Sequence, residues 1–371
     1  MHRALFILLI SGLSVLGSPD LLHAQGIVAG RLTDTETKEP LQGAHIFLSG
    51  TKIGSQTDQT GRYMIRDIPP GFYRLVVSRI GYGRKTYGLQ VGPREHKNID
   101  LSLKEVVYEM NDIDVDYLDE KWKKHYEQFE ELFLGFTEEA ESVIILNPEV
   151  LRFDSNFWGR LTAEALAPLQ IINRALGYQI TYYLDEFKHT GQRTYWDGEP
   201  LFTEMTTSDS LQQAEWEENR RKAFYGSMRH FWIALLQDRL EEEGFLLYNV
   251  RESGHPGFPD SRREVAVDHL IREGEKAYLH RIQYSGFLEI IYTREIEDIR
   301  YLEWAQDLGR GPIKSQVSWL ELNERSITVD LDGEVVEPYG AIQLGYFGFH
   351  RLADLTPRDY RPEGFKLSAE F

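Results

Sequence analysis

The chain carries 11 histidines and 59 acidic side chains, enough for metal or acid–base chemistry, so their spacing comes first. A zinc peptidase site needs His-x-x-Glu plus a distant His. No histidine here has Glu three positions on. His125, His189 and His280 come nearest, with Gln128, Gln192 and Gln283 in that slot. A neutral amide is a poor substitute for a carboxylate ligand. His-Glu-x-x-His, the Gly-x-Ser-x-Gly elbow, the phosphate loop and the dinucleotide fingerprint are also missing. The sequence has no cysteine, which removes thiol nucleophiles, zinc–thiolate sites and cysteine-ligated iron–sulfur clusters. No cofactor and no metal are expected.

Asp112-Ile-Asp114-Val-Asp116 alternates carboxylates in the manner of a calcium loop. Tyr117 stands where an EF-hand needs glycine, and Lys123 where it needs a bidentate Glu. The run therefore reads as a solvated stretch. A glycosidase-type carboxylate pair is defined by separation in space, so no catalytic residue is assigned from spacing. One basic cluster stands out in this acidic chain: Arg220-Arg221-Lys222, followed by Tyr225-Gly-Ser227-Met-Arg229-His230. If a helix break exposes Arg221, Tyr225, Ser227, Arg229 and His230 together, they form a candidate site for an anionic ligand. The same residues also read as a solvated helix face neutralised by Glu215, Glu217 and Glu218.

The elements that must position such residues begin with export. Arg3 precedes an apolar run, Ala4 to Leu16, broken by Ser11, Gly12 and Ser14. Leu22-His23-Ala24-Gln25 then offers a small residue before a cut after Ala24. This is the layout of a secretory signal peptide. The run is short for a bilayer span, and no second apolar stretch follows, so no transmembrane span is expected in the mature chain. Without cysteine no lipid anchor is expected. The expected location is the periplasm, the outer membrane's periphery or the medium. A net charge of -18 argues against nucleic acid and against an anionic membrane face. At 42% hydrophobic and 27% charged residues, 371 positions suffice for two globular domains.

From Gly26 to Lys104, short strands alternate with turn residues. Strands are expected at Ile27–Thr33, Ala44–Leu48, Arg62–Arg66, Phe72–Ile80, Lys85–Val91 and His96–Leu103. Gly61 can take a positive φ in its turn. Pro69-Pro70-Gly71 has the residues of a type II turn. Tyr73, Leu75 and Val77 share one face by the period of two. Six or seven strands at this spacing predict a β-sandwich.

Three runs carry a resemblance: Gly30-Arg-Leu-Thr-Asp34 with Thr37 to Ile46, Thr57-Asp58 with Gly61-Arg-Tyr63, and Ile68-Pro-Pro-Gly-Phe-Tyr73 with Ser78 to Tyr82. Together they resemble the carboxypeptidase regulatory-like domain. The resemblance implies a seven-stranded transthyretin-like sandwich over residues 25–104, an appendage without catalytic residues. Leu103 to Tyr108 is similar to the segment that follows this module in energy-coupled outer-membrane receptors, whose barrel this chain is too short to hold. Residues 105–118 read as a linker.

Residues 119–371 read as a larger, β-rich α+β domain of unknown function with two or three helices. A helix is expected from Asp119 to Leu134, where Trp122, Tyr126, Phe129 and Phe133 share a face. Asp119–Lys123 and Glu120–Lys124 pairs would line its exposed side. Further helices are expected over Leu211–Ala223 and from Met228 to Gly244. Glu241-Glu242-Glu243 would then sit unfavourably at a helix C-terminus. Asp197-Gly198 and Asp332-Gly333 read as hairpin turns. Leu132 to Gly135, Ile145 to Pro148, Leu176 to Ile180, Tyr225 to Ser227 and Arg351-Leu-Ala-Asp-Leu-Thr-Pro-Arg-Asp-Tyr360 occur in an order similar to uncharacterised exported proteins containing a carboxypeptidase-like regulatory domain. That resemblance implies no activity. The function expected is a non-catalytic envelope protein that binds a protein or glycan. The alternatives are a hydrolase with an unrecognised carboxylate or histidine site, and an accessory to an outer-membrane importer.

Overall fold

The computed structural model describes residues 25–106, 119–191, 193–250, 262–276, 278–306, 315–337 and 339–365. The leader segment and Asp112-Ile-Asp114-Val-Asp116 lie outside them, as does most of the expected linker.

Period-two alternation builds the first unit. Its strands are β1 (Gly26–Asp34), β2 (His45–Leu48), β3 (Gly54–Gln56), β4 (Arg62–Ile68), β5 (Gly71–Ser78), β6 (Lys85–Val91), β7 (His96–Asn98) and β8 (Leu101–Leu103). One sheet runs β4-β1-β7 with β8 also on β1, and the other runs β3-β2-β5-β6. Val28, Leu32, Ile46, Tyr63, Tyr73, Leu75 and Val77 fill the space between them.

The sandwich thus has eight strands where seven were expected. The difference has a local cause. His96–Leu103 is two strands, both parallel to β1 in one register. Between them the Ile99 carbonyl sits where a Cβ on Gly30 would be. Asp100 Oδ1 takes the Arg31 N–H at 2.9 Å in place of the ladder.

The second unit starts with α1 (Glu120–Leu134), followed by β9 (Val143–Ile145), β10 (Leu151–Ser155), β11 (Leu161–Ala165), β12 (Leu169–Asn173), β13 (Tyr178–Thr190) and β14 (Arg193–Glu204). The sheet order is β10-β11-β13-β12-β9, with β14 along the other side of β13. Phe129 and Phe133 of α1 are buried on this sheet. Asp119 caps the helix by accepting the Lys121 N–H, and Lys123 pairs with Glu120 at 2.9 Å. These replace the two i,i+4 pairs expected.

Asp197-Gly198 is not a hairpin turn. It lies inside β14, opposite a bulge at Asp185. A Cβ at Gly198 would meet the Tyr182 ring at 2.5 Å, so the glycine serves close packing.

The helices α2 (Ser210–Phe224) and α3 (Met228–Leu236) come next. Then follow β15 (Phe245–Val250), β16 (Arg263–Glu264), α4 (Val267–Leu270), β17 (Ile271–Glu273), β18 (Leu279–Ile282), β19 (Phe287–Tyr292), α5 (Ile299–Trp304), β20 (Gln316–Leu322), β21 (Ile327–Asp330), β22 (Ala341–Gly345) and α6 (Tyr346–Phe349). One sheet runs β16-β15-β19-β20-β22 and another β17-β18-β21. Phe231, Trp232 and Leu235 of α3 are buried against them.

α3 stops at Leu236, eight residues short of Gly244, with Asp238 at positive φ just beyond. The three glutamates therefore lie outside the helix. Glu243 folds back to bond His230 at 3.2 Å and Arg239 at 2.6 Å, which accounts for an acidic run that helix electrostatics disfavours. Asp332-Gly333 does turn the chain, with the Gly333 N–H on the Asp330 carbonyl at 2.9 Å.

Candidate functional site

The outer face of the sheet holding β2 and β5 is spent on the second unit. Phe47 of β2 stacks on Tyr183 of β13 at 5.5 Å. The loop after β2 pairs with the edge of β14: the Gly50 N–H bonds the Pro200 carbonyl at 2.7 Å, and the Phe202 N–H bonds the Thr51 carbonyl at 3.0 Å. Arg74 of β5 reaches across to Asp197 at 3.1 Å and to the Gly198 carbonyl at 3.0 Å. It also meets Glu199 at 3.2 Å. Burial pushes the Glu199 carboxyl up, and Arg74 pulls it back.

A segment after α6 locks the two units together. The Arg358 N–H bonds the Gly50 carbonyl at 2.7 Å. Its guanidinium donates to the Phe72 carbonyl on the sandwich and to Asp330 on β21. It also lies 4.1 Å over the Tyr73 ring. Asp332 joins at 3.4 Å and is itself held by Arg361 at 2.5 Å. A Cβ at Gly71 would sit 2.8 Å from this guanidinium. Burial pushes the Asp330 carboxyl up against the pull of Arg358. Burial also lowers Arg358, but Asp330 and Asp332 outweigh it and hold the guanidinium above its ordinary value. Lys52 adds a bond to Asp359 at 3.0 Å and a pair with Glu204 at 2.6 Å.

Between these contacts lies a cleft of about 450 Å³, within the range of small-molecule sites. The sandwich contributes Phe72 and Arg74, β14 contributes Trp196, α3 contributes Arg229, and the segment after α6 contributes His350 and Arg351.

Of the five residues singled out in sequence, Ser227 and Arg229 line this cleft, while Arg221, Tyr225 and His230 do not. Arg221 makes an exposed fork to Glu218 at 2.8 and 2.7 Å. Tyr225 ends α2 and packs edge-on against His230 at 5.1 Å. Ser227 caps α3, its Oγ accepting the His230 N–H at 3.1 Å. Arg229 is buried and donates to the Pro357 and Tyr360 carbonyls at 2.6 and 2.9 Å. Burial, reinforced by Arg361, lowers it to about 10.

His230 is fully buried. Gly226 N–H points at Nδ1 from 3.1 Å, so Nδ1 accepts. Nε2 must then carry the hydrogen, which it donates to Glu243 at 3.2 Å. Protonation would set a second N–H against Gly226. Burial accordingly holds the imidazole below its ordinary range, with Glu243 opposing.

Sequence reasoning passed over Arg351, Arg358 and the cleft itself. The signal available was the run from Arg351 to Tyr360, where charged residues sit among Leu352, Ala353 and Leu355.

A family model described as CarboxypepD_reg-like domain matches residues 28–115. That match spans nearly all of the sandwich. The match ends before α1. Over 92 residues the chain is 35% identical to TonB-dependent receptor P39 of Formosa agariphila, a stretch covering 25% of this chain and 8% of the receptor. A DUF3823 family protein from Bacteroides ovatus aligns with 49% of this chain and 82% of its own, at 13% identity and a TM-score of 0.18. The 3-chlorocatechol 1,2-dioxygenase of Rhodococcus opacus aligns with 24% of this chain and 63% of its own, at 14% identity and a TM-score of 0.19. Neither structural likeness bears on activity. Among the described residues no helix is long and apolar enough to cross a membrane.

Proposed function

We propose that this is an exported, non-catalytic envelope protein whose CarboxypepD_reg-like domain and β-rich domain bind a protein or glycan in the cleft between them. One observation carries the reading. The carboxylates that line the cleft are mostly committed to the fold: Asp197 to Arg74, Asp330 to Arg358, Glu337 to Thr328 and Asp354 to Thr137. A hydrolytic pair needs carboxylates free to exchange protons with a substrate. What the cleft offers instead is Trp196, Phe72 and Phe347 beside a few polar residues such as His350 and Arg351, the composition of a binding site.

The domain match and the receptor similarity fit an envelope setting, and the apolar run at Ala4 to Leu16 supports export. A place beside an outer-membrane importer is a second reading, resting on the 35% identity to a receptor segment.

The test is affinity capture from the native envelope with residues 25–371 as bait, alongside a screen of peptide and glycoside hydrolysis. A stoichiometric partner or glycan that survives moderate salt is expected. Turnover without any bound partner would overturn the reading.

A further inference from the structure

Arg351 is 8% exposed and lines the cleft. Of the three other buried arginines, Arg220 has Glu217 at 3.0 Å and Arg358 has Asp330, while Arg229, also without a carboxylate, has both ends of its fork on the Pro357 and Tyr360 carbonyls. Arg351 forms no ion pair among the described residues. Its guanidinium makes one hydrogen bond, from Nη1 to the Leu132 carbonyl at 2.5 Å. Nε is buried without a partner. The Trp196 and Phe136 rings lie 5.0 and 5.4 Å from its central carbon. Burial alone lowers it to about 10.

An uncompensated cation in such a place costs stability, and this acidic chain had many carboxylates to spend on it. The neighbouring Asp354 is turned away, taking the Arg351 backbone N–H at 3.0 Å and the Thr137 hydroxyl at 2.9 Å. Of the other lining carboxylates, Asp197, Asp330 and Glu337 are held as described above, and Glu334 is half-exposed beyond the Asp332-Gly333 turn.

We infer that Arg351 anchors a carboxylate or phosphate on a small ligand whose ring or apolar body lies against Trp196. This rests on the binding reading of the cleft and names its ligand class. An incoming anion would supply the missing counter-charge, with the planar fork favouring either group. The competing role is structural, because the Leu132 carbonyl belongs to the last turn of α1 and a cation there suits the helix dipole.

The experiment titrates residues 25–371 with D-glucuronate, D-glucose 6-phosphate and neutral D-glucose by calorimetry. At least one charged sugar should bind ~10-fold or more tightly than glucose, and which one wins separates carboxylate from phosphate. R351M should lose that preference while its thermal midpoint stays level or rises, since Met keeps the packing and removes a costly charge. A cap without a ligand role predicts the reverse: no preference in the wild type, and a lower midpoint in R351M.

The Arg351 Nε–Hε NMR resonance, assigned by its absence from R351K, gives a readout that keeps the side chain. It should move with bound probe. A charged sugar that binds without moving it overturns the inference. A neutral glycan or protein held in the cleft with that resonance unmoved would defeat this inference and leave the binding reading standing.

Discussion

Arg358 is the contact on which the two domains converge, and its removal has a calculable effect. In R358M the Asp330 carboxylate, 1% exposed, loses its guanidinium. The Phe72 carbonyl loses its donor, and Asp332 keeps only Arg361. Removing one partner of a buried pair costs ~3–5 kcal/mol. The low end is expected here. Burial already pushes the Asp330 carboxyl up against the pull of Arg358, so once the guanidinium is gone the carboxylate can relieve its burial by taking a proton. D330N/R358M removes the orphaned charge altogether. The double variant should recover ~2–3 kcal/mol relative to the sum of the single changes, the upper range for contacting residues. Urea unfolding of the four proteins, followed by tryptophan fluorescence and far-ultraviolet dichroism, supplies the cycle. A loss under ~1 kcal/mol in R358M, or a coupling energy near zero, would refute the account of Arg358 as a buried, charge-paired lock.

The His230 imidazole is held below its ordinary value of 6.5, so the unfolded chain takes up that proton first as pH falls, and wild type should lose stability relative to H230Q between about pH 7.5 and 5.5; parallel curves would contradict the tautomer derived for His230. Gly177 has φ +68, and a Cβ there would enter the Trp216 ring, so G177A should cost ~2–4 kcal/mol in denaturant unfolding. Phe157 and Trp158 are 94% and 84% exposed at the β10–β11 turn, and replacing either with Ser should shift stability by less than ~0.5 kcal/mol. Limited proteolysis within residues 107–118 should yield two fragments that elute together on gel filtration, and separation under native conditions would speak against the docked arrangement.

Much of the sandwich was legible because strand alternation and turn chemistry are local. Tyr73, Leu75 and Val77 are buried on one face, as their spacing implies, and Gly61 takes φ +74. Two glycines misled for one physical reason. Gly71 lies in β5 without a positive φ, because Arg358 presses against it from 287 positions on. Gly198 lies in β14 because Tyr182 does the same. A glycine needed for close approach looks in sequence like one needed for a turn, and only the distant partner tells them apart. The arginines were opaque for a similar reason. Arg229 spends its charge on two backbone carbonyls, and carbonyls leave no mark in a sequence. Helix α2 is highly charged in sequence, yet Trp216, Arg220 and Phe224 are its buried stripe, with Arg220 lying 4.2 Å over the Tyr178 ring.

The lock on the sandwich also sets an order of events during synthesis. Phe72 and Arg358 are 286 residues apart. At ribosomal rates of ~5–20 residues per second, β5 is made ~15–60 s before the arginine that clamps it. A sandwich closing within that interval would leave Phe47 on its outer sheet without its Tyr183 partner until β13 follows. A chain whose sandwich closed first, before or after export, would hold a finished domain with an unfinished face, open to other copies of itself. A holding chaperone during that interval would act on this face, and would be displaced by the chain's own later strands.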